Sequence, residues 1–147
     1  MTTKEIINLL PYSPPFLFVD ELQEISEKGA TGCYTYKTDE FFYQGHFTHL
    51  PVTPGVILIE TMAQIGVVSL GIYLYKKEPA DAAMPEIAFT SVDVDFLAPV
   101  LPGEKVTVTS EKKYFRFGKL SCHVEMKNSE GKMVCQGNIS GFIKNYM

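Results

Sequence analysis

Residues Pro54 to Tyr75 read PGVILIETMAQIGVVSLGIYLY, and the fold turns on how this segment is placed. Thr53 is suited to cap a helix starting here, and Pro54 suits the first helical position. The segment is apolar almost all round, and Lys76-Lys77 follow it. A helix of this kind either spans a bilayer or forms the buried centre of a domain. Glu60 and Gln64 decide for burial, because a carboxylate at the centre of a bilayer costs about 2.5–3.5 kcal/mol on insertion scales. No second segment resembles it, and amphipathic strands flank it on both sides. Gly55, Gly66 and Gly71 would let a sheet approach closely, a use membrane helices also make of glycine. The expectation is an α+β fold with no membrane span: one long apolar helix wrapped by an antiparallel β-sheet of five or more strands.

Downstream of the helix, Val92, Val94 and Phe96 alternate with Asp93, Asp95 and Leu97. Val106 and Val108 alternate with Lys105, Thr107 and Thr109, and Leu120, Cys122, Val124 and Met126 alternate with Ser121, His123, Glu125 and Lys127. Period-2 patterning describes antiparallel strands with one buried and one wet face. Leu101-Pro102-Gly103-Glu104, Phe117-Gly118-Lys119 and Asn128-Ser129-Glu130-Gly131 supply the turns. The last strand is expected from about Met133 to Ile143. Upstream, Thr2-x-x-Glu5 reads as a capping box for a short helix that Pro11, Pro14 and Pro15 end. Phe16 to Ile25 then reads as a strand paired with Gly32–Lys37 through a turn near Lys28-Gly29.

The chain has 147 residues with no repeat or linker, and residues 1–147 are expected to form a single domain. Its 13 basic and 17 acidic residues give a net charge of −4, the wrong sign for a nucleic-acid binder. An apolar fraction of 46% with 12% aromatics excludes disorder. Cys33, Cys122 and Cys135 lie in strand-like stretches without metal spacing and read as buried thiols in a reducing compartment. The N-terminal run lacks a small-residue cleavage site, so a cytoplasmic protein is expected.

With three histidines and one arginine, few groups can do chemistry near neutral pH. Two of the histidines, His46 and His49, lie in the proline-bounded stretch Phe42–Gly55 just ahead of the helix. Glu60 and Gln64, four apart, share one helix face. Each residue alone has a structural explanation: a satisfied turn histidine, and a carboxylate held by a loop amide. Together, a fixed histidine, a buried carboxyl with raised pKa and the unsatisfied Gly55 amide are the parts of an acid–base eliminase.

Gly45-His46-Phe47…Pro51…Pro54-Gly55-Val56…Glu60…Ala63-Gln64 resembles the signature of the (3R)-hydroxyacyl-[acyl-carrier-protein] dehydratases. Leu10-Pro11…Pro15-Phe16-Leu17…Val19-Asp20 resembles that family's opening, and Phe96…Pro99-Val100…Pro102-Gly103-Glu104 its later strand and turn. Glutamate at position 60 resembles the dehydratase-only branch. The resemblance implies the hotdog fold, a homodimer with its two long helices side by side, and assembly into trimers of dimers. It implies sites that take His46 from one subunit and Glu60 from the other. His46 would remove the C2 proton, Gly55 N–H would bind the thioester carbonyl, and Glu60 would protonate the leaving hydroxyl. Phe47, Val56, Ile57, Ile59 and Gln64 would line the acyl tunnel, with no metal or organic cofactor.

The implied substrate is carried on acyl-carrier protein or coenzyme A, in fatty-acid or polyene and other secondary lipid synthesis. The chain departs from the family in three places: Thr48-His49-Leu50 after His-Phe, Tyr12-Ser13 for the usual His-Arg, and Asp93, Asp95, Leu97 and Ala98 where basic residues are usual. Contacts to an acidic carrier then fall to Lys76-Lys77, Lys112-Lys113, Arg116 and Lys119. A hotdog thioesterase is the alternative enzyme, and a non-catalytic dehydratase-like subunit of a hetero-oligomer the alternative outside catalysis. Retention of both His46 and Glu60 weighs against the latter.

Overall fold

The computed structural model describes residues 1–76 and 86–144. Helix α1 (Thr3–Leu9) starts with the expected capping box: Thr2 Oγ1 accepts from Glu5 N, and the Glu5 carboxylate accepts from Thr2 N, both at 3.1 Å. Strands β1 (Glu21–Ser26) and β2 (Gly29–Thr35) form a hairpin that leads, by way of a 3-10 turn at Phe41–Gln44, to the central helix α2 (Gly55–Tyr75). Strands β3 (Glu86–Phe96), β4 (Lys105–Arg116), β5 (Lys119–Asn128) and β6 (Met133–Lys144) follow. All six strands join one antiparallel sheet in the order β1-β2-β4-β5-β6-β3.

The sheet curls around α2, which is long and apolar enough to cross a membrane yet is mostly buried within the domain. Glycine makes the approach possible. A Cβ on Gly66 would stand 2.9 Å from Ser110 Cβ and 3.2 Å from Val124 Cγ1, so β4 and β5 press directly on the helix backbone. A Cβ on Gly71 would meet Ile87 at 2.8 Å. Inward-facing Leu120, Cys122, Val124 and Met126 of β5 have no exposed surface. Each such side chain contributes roughly 1.5–3 kcal/mol on burial. The three cysteines are free and buried, on β2, β5 and β6 as expected.

Helix α2 widens to a π-turn over Gln64–Val68, where the Gln64 carbonyl accepts from both the backbone and the hydroxyl of Ser69, the latter at 2.7 Å. Its start differs from expectation by one residue: Pro54 is the cap, and no side chain caps the helix. The Thr53 hydroxyl is instead hydrogen-bonded to that of Tyr43 at 2.6 Å. The strand expected from Phe16 begins only at Glu21. Phe16 N closes a turn on Ser13 O, and the backbone groups of Phe16 and Phe18 bind the Gln64 side chain, so they have no place in a ladder. Strand β3 is the third correction. It lies at the sheet edge, where α2 comes close at Ile87 and Phe96, yet its Val92 and Phe96, expected to be buried, are 39% and 50% exposed.

Candidate active site

The chain between the Phe41–Gln44 turn and α2 is fixed by its own backbone. Phe47 N donates to Leu50 O at 2.7 Å, Val52 N to His46 O at 2.9 Å, and Thr53 N to Val100 O at 2.9 Å. Pro51 and Pro54 remove donors that this loop would have to satisfy. His46 stands half-buried on it, its ring stacked on Phe47 with centroids 4.0 Å apart. The Nδ1–H donates to the Val52 carbonyl at 2.9 Å. A carbonyl can only accept, so this bond selects the tautomer in which Nε2 carries the lone pair. The bond thus orients the His46 ring. His49, three residues on, is exposed.

Glu60 lies half-buried on α2, and burial pushes its carboxyl above the ordinary value. A hydrogen bond from Gln64 Nε2 to Glu60 Oε2 at 2.9 Å pulls in the opposite direction and loses. Gln64 itself has no exposed surface. Besides Glu60 its amide binds the Phe16 carbonyl (Nε2 to O, 3.0 Å) and the Phe18 amide (N to Oε1, 2.8 Å). It thus pins the carboxyl and ties the Phe16–Phe18 segment to the helix.

Gly55 heads the helix, and its N–H has no acceptor among the described residues, as expected of a first-turn amide. A cleft of about 490 Å³ opens there, lined by Thr53, Gly55, Leu58, Phe96, Leu97, Ala98 and Pro99. The Phe96 ring lies against Gly55 so closely that a Cβ there would be 3.0 Å from Cζ. A larger open groove of about 1000 Å³, between the N-terminus, the β1–β2 hairpin and β4, contains neither His46 nor Glu60.

Of the residues expected along the acyl tunnel, Phe47 and Val56 are exposed, Val56 by 72%. Ile59 is partly buried, and Ile57 is buried in the core. No hydrogen bond joins His46 to Glu60 among the described residues, where each is held by its own partner. Nor is any group of three or more His, Cys, Asp or Glu placed there to hold a metal ion. Sequence reasoning gave no role to Phe96, which covers Gly55, or to Tyr12, a neighbour of Glu60. Contacts across 41 and 48 residues leave no trace in periodicity.

A long apolar helix wrapped by a six-stranded antiparallel sheet, with a histidine on the loop ahead of the helix and a raised carboxyl within it, defines a hotdog-fold protein. Solved structures agree on the fold. The dehydratase heterocomplex ApeI:P from Xenorhabdus doucetiae superimposes with a TM-score of 0.77 at 16% identity, covering 99% of this chain and 93% of that one. Thioesterase HI1161 from Haemophilus influenzae gives 0.69 at 16% identity, covering 99% and 92%. A family model described as a FabA-like domain matches residues 10–138, and the chain belongs to that family. The 3-hydroxyacyl-[acyl-carrier-protein] dehydratase FabZ of Caldicellulosiruptor saccharolyticus is 37% identical over 145 residues, 95% of this chain and 96% of the relative. The FabZ of Clostridium perfringens is 35% identical over 144 residues with the same coverage.

Proposed function

We propose that the chain is a hydro-lyase that removes water from a (3R)-hydroxyacyl thioester to give the trans-2-enoyl thioester, in fatty-acid or a related lipid synthesis. Two observations support this: His46 is oriented by the Val52 bond, which leaves Nε2 free of it, and burial pushes the Glu60 carboxyl toward its protonated form. The thioester carbonyl acidifies the C2 proton, which passes to His46 Nε2. The Gly55 N–H, at the positive end of α2, binds the carbonyl oxygen as negative charge gathers there. The C3–O bond breaks as Glu60 gives its proton to the departing hydroxyl, which would otherwise be a poor leaving group. Water leaves, and returning the proton from His46 to Glu60 completes the cycle. The steps call for no cofactor.

Two surfaces support the partners of this reading. The exposed apolar residues of edge strand β3, next to exposed Val56 on α2, suit pairing with a second copy, through which His46 of one protomer would meet Glu60 of the other. An acidic carrier protein would find basic residues along the β4–β5 hairpin, which carries Lys112, Lys113, Arg116 and Lys119, with Phe117, 94% exposed, at its turn. The other basic pair, Lys76-Lys77, lies partly outside the described residues, at Lys77. The whole of residues 1–147 would act as one domain in the cytoplasm.

Purified protein incubated with a 3-hydroxyacyl thioester should produce enoyl absorbance without free thiol. Thiol release alone would mark a thioesterase, and silence across chain lengths on both carrier protein and coenzyme A would refute the dehydratase reading. Lys112→Glu with Lys113→Glu should raise KM for the carrier-linked substrate about tenfold and leave a short pantetheine thioester unaffected. Unchanged carrier kinetics would remove the hairpin from the account.

A further inference from the structure

We propose that Tyr12 is a second hydrogen-bond donor at the acid end of the site, placing its phenol on the C3 oxygen beside Glu60. The inference rests on the dehydratase reading and adds a residue to it. Tyr12 sits on the segment that joins α1 to β1. That segment is laid along α2 by the same amide that holds the acid, since Gln64 binds Phe16 O, Phe18 N and Glu60 Oε2 together. The turn from Phe16 N to Ser13 O at 2.8 Å fixes how the chain doubles back between Tyr12 and this anchor. The Tyr12 ring is half-buried against the hydrophobic core.

Its hydroxyl has no hydrogen-bond partner among the described residues, and it is not sealed inside, since no buried side-chain polar atom there lacks a partner. The other tyrosines on the inner side of the sheet are engaged: Tyr34 with Glu40, Tyr36 with Thr61 and Tyr43 with Thr53. Tyr12 has no such partner, and it lies four residues from Phe16, whose carbonyl shares Gln64 Nε2 with the Glu60 carboxylate. Burial first and the neighbouring Glu60 carboxylate second push its phenol up to about 12, which keeps the O–H intact at any working pH.

An intact, unengaged O–H on the segment that Gln64 ties to Glu60 is available to donate. In the elimination the C2 proton goes to His46, the C2–H pair becomes the new double bond, the C3–O bond breaks, and the Glu60 proton goes to the leaving oxygen. Tyr12 transfers nothing. It donates a hydrogen bond to that oxygen as negative charge grows on it, and it holds the 3-hydroxyl toward Glu60 rather than toward solvent. Such a bond strengthens in the transition state, so it acts on kcat.

Tyr12→Phe removes one oxygen and keeps the ring packing. With wild type and variant assayed on the same 3-hydroxyacyl thioester, kcat should fall about 10- to 100-fold, with KM within about threefold and the melting temperature unchanged. Tyr12→His, which restores a donor, should recover part of kcat, whereas Tyr12→Leu should not. A Tyr12→Phe enzyme within twofold of wild-type kcat overturns the proposal and leaves the dehydratase reading standing. A drop in kcat matched by a drop in melting temperature, not relieved by Tyr12→His, also overturns it, in favour of a packing role. If wild type itself turns over no 3-hydroxyacyl thioester, the dehydratase reading fails and this inference fails with it.

Discussion

Strands β5 and β3 carry the same alternation of apolar and polar residues, and their surroundings are opposite. On β5 the inward residues Leu120, Cys122, Val124 and Met126 are sealed under α2. On β3 the corresponding Val92 and Phe96 stay 39% and 50% exposed, because β3 is the edge of the sheet and α2 approaches it at Ile87 and Phe96 without sealing it. Alternation tells which side chains share a face; it does not tell whether anything covers that face. The covered part of the sheet is where stability resides. The uncovered edge is where the helix N-terminus and the cleft lie, and under the proposed function a second copy completes it.

That contrast can be broken most severely by Val124→Asp, which buries a carboxylate with no partner. It should cost more than about 4 kcal/mol and leave no folded protein by circular dichroism. The matching change on the edge, Val92→Asp, should leave the secondary structure in place. Instead it should shift the protein toward monomer in sedimentation experiments and lower turnover in step with the loss of dimer. If Val92→Asp unfolds the chain as Val124→Asp does, the two strands are not different in kind.

The acid offers a smaller and subtler effect. Glu60 has a folded-state pKa raised by burial, so the folded protein favours the protonated form. Below the ordinary glutamate range both states are protonated and burial costs nothing. As pH rises through the folded value, the ionised carboxylate is held in a poor solvent and folding stability is lost. Glu60→Gln removes that titration. Its melting temperature should match wild type near pH 4 and exceed it by roughly 1–4 °C at pH 8, while dehydration is abolished. A variant that is less stable at pH 8 than at pH 4, relative to wild type, would mean that Glu60 is a structural carboxylate.

Much of the architecture was readable from the residues. The helix at Pro54–Tyr75, its buried placement and its three close-approach glycines followed from an apolar run interrupted by Glu60 and Gln64. The hairpins of the second half followed from alternation and turn residues, with Phe117 and Gly118 both at positive φ where the Phe-Gly-Lys turn was expected. His46 and Glu60 were singled out as candidates by the family signature. What escaped was anything set by contact between distant residues. Phe16 to Phe18 has strand-like composition, yet Gln64 takes the Phe16 carbonyl and the Phe18 amide. Thr53 has the chemistry of a helix cap, yet Tyr43 occupies its hydroxyl. Tyr12 looked like a mere departure from the family opening, because its relation to Glu60 exists only after the chain folds back on α2.

The central claim is that His46 and Glu60 act together as base and acid across two copies of the chain. It is tested most directly by mixing His46→Ala and Glu60→Ala proteins, each unable to dehydrate a 3-hydroxyacyl thioester, under conditions that exchange subunits. A random mixture makes half of the dimers mixed, each with one intact site, so enoyl formation should return to about a quarter of the wild-type rate. Single variants that keep near-full activity, or a mixture that stays as inactive as its components after exchange is verified, would contradict it.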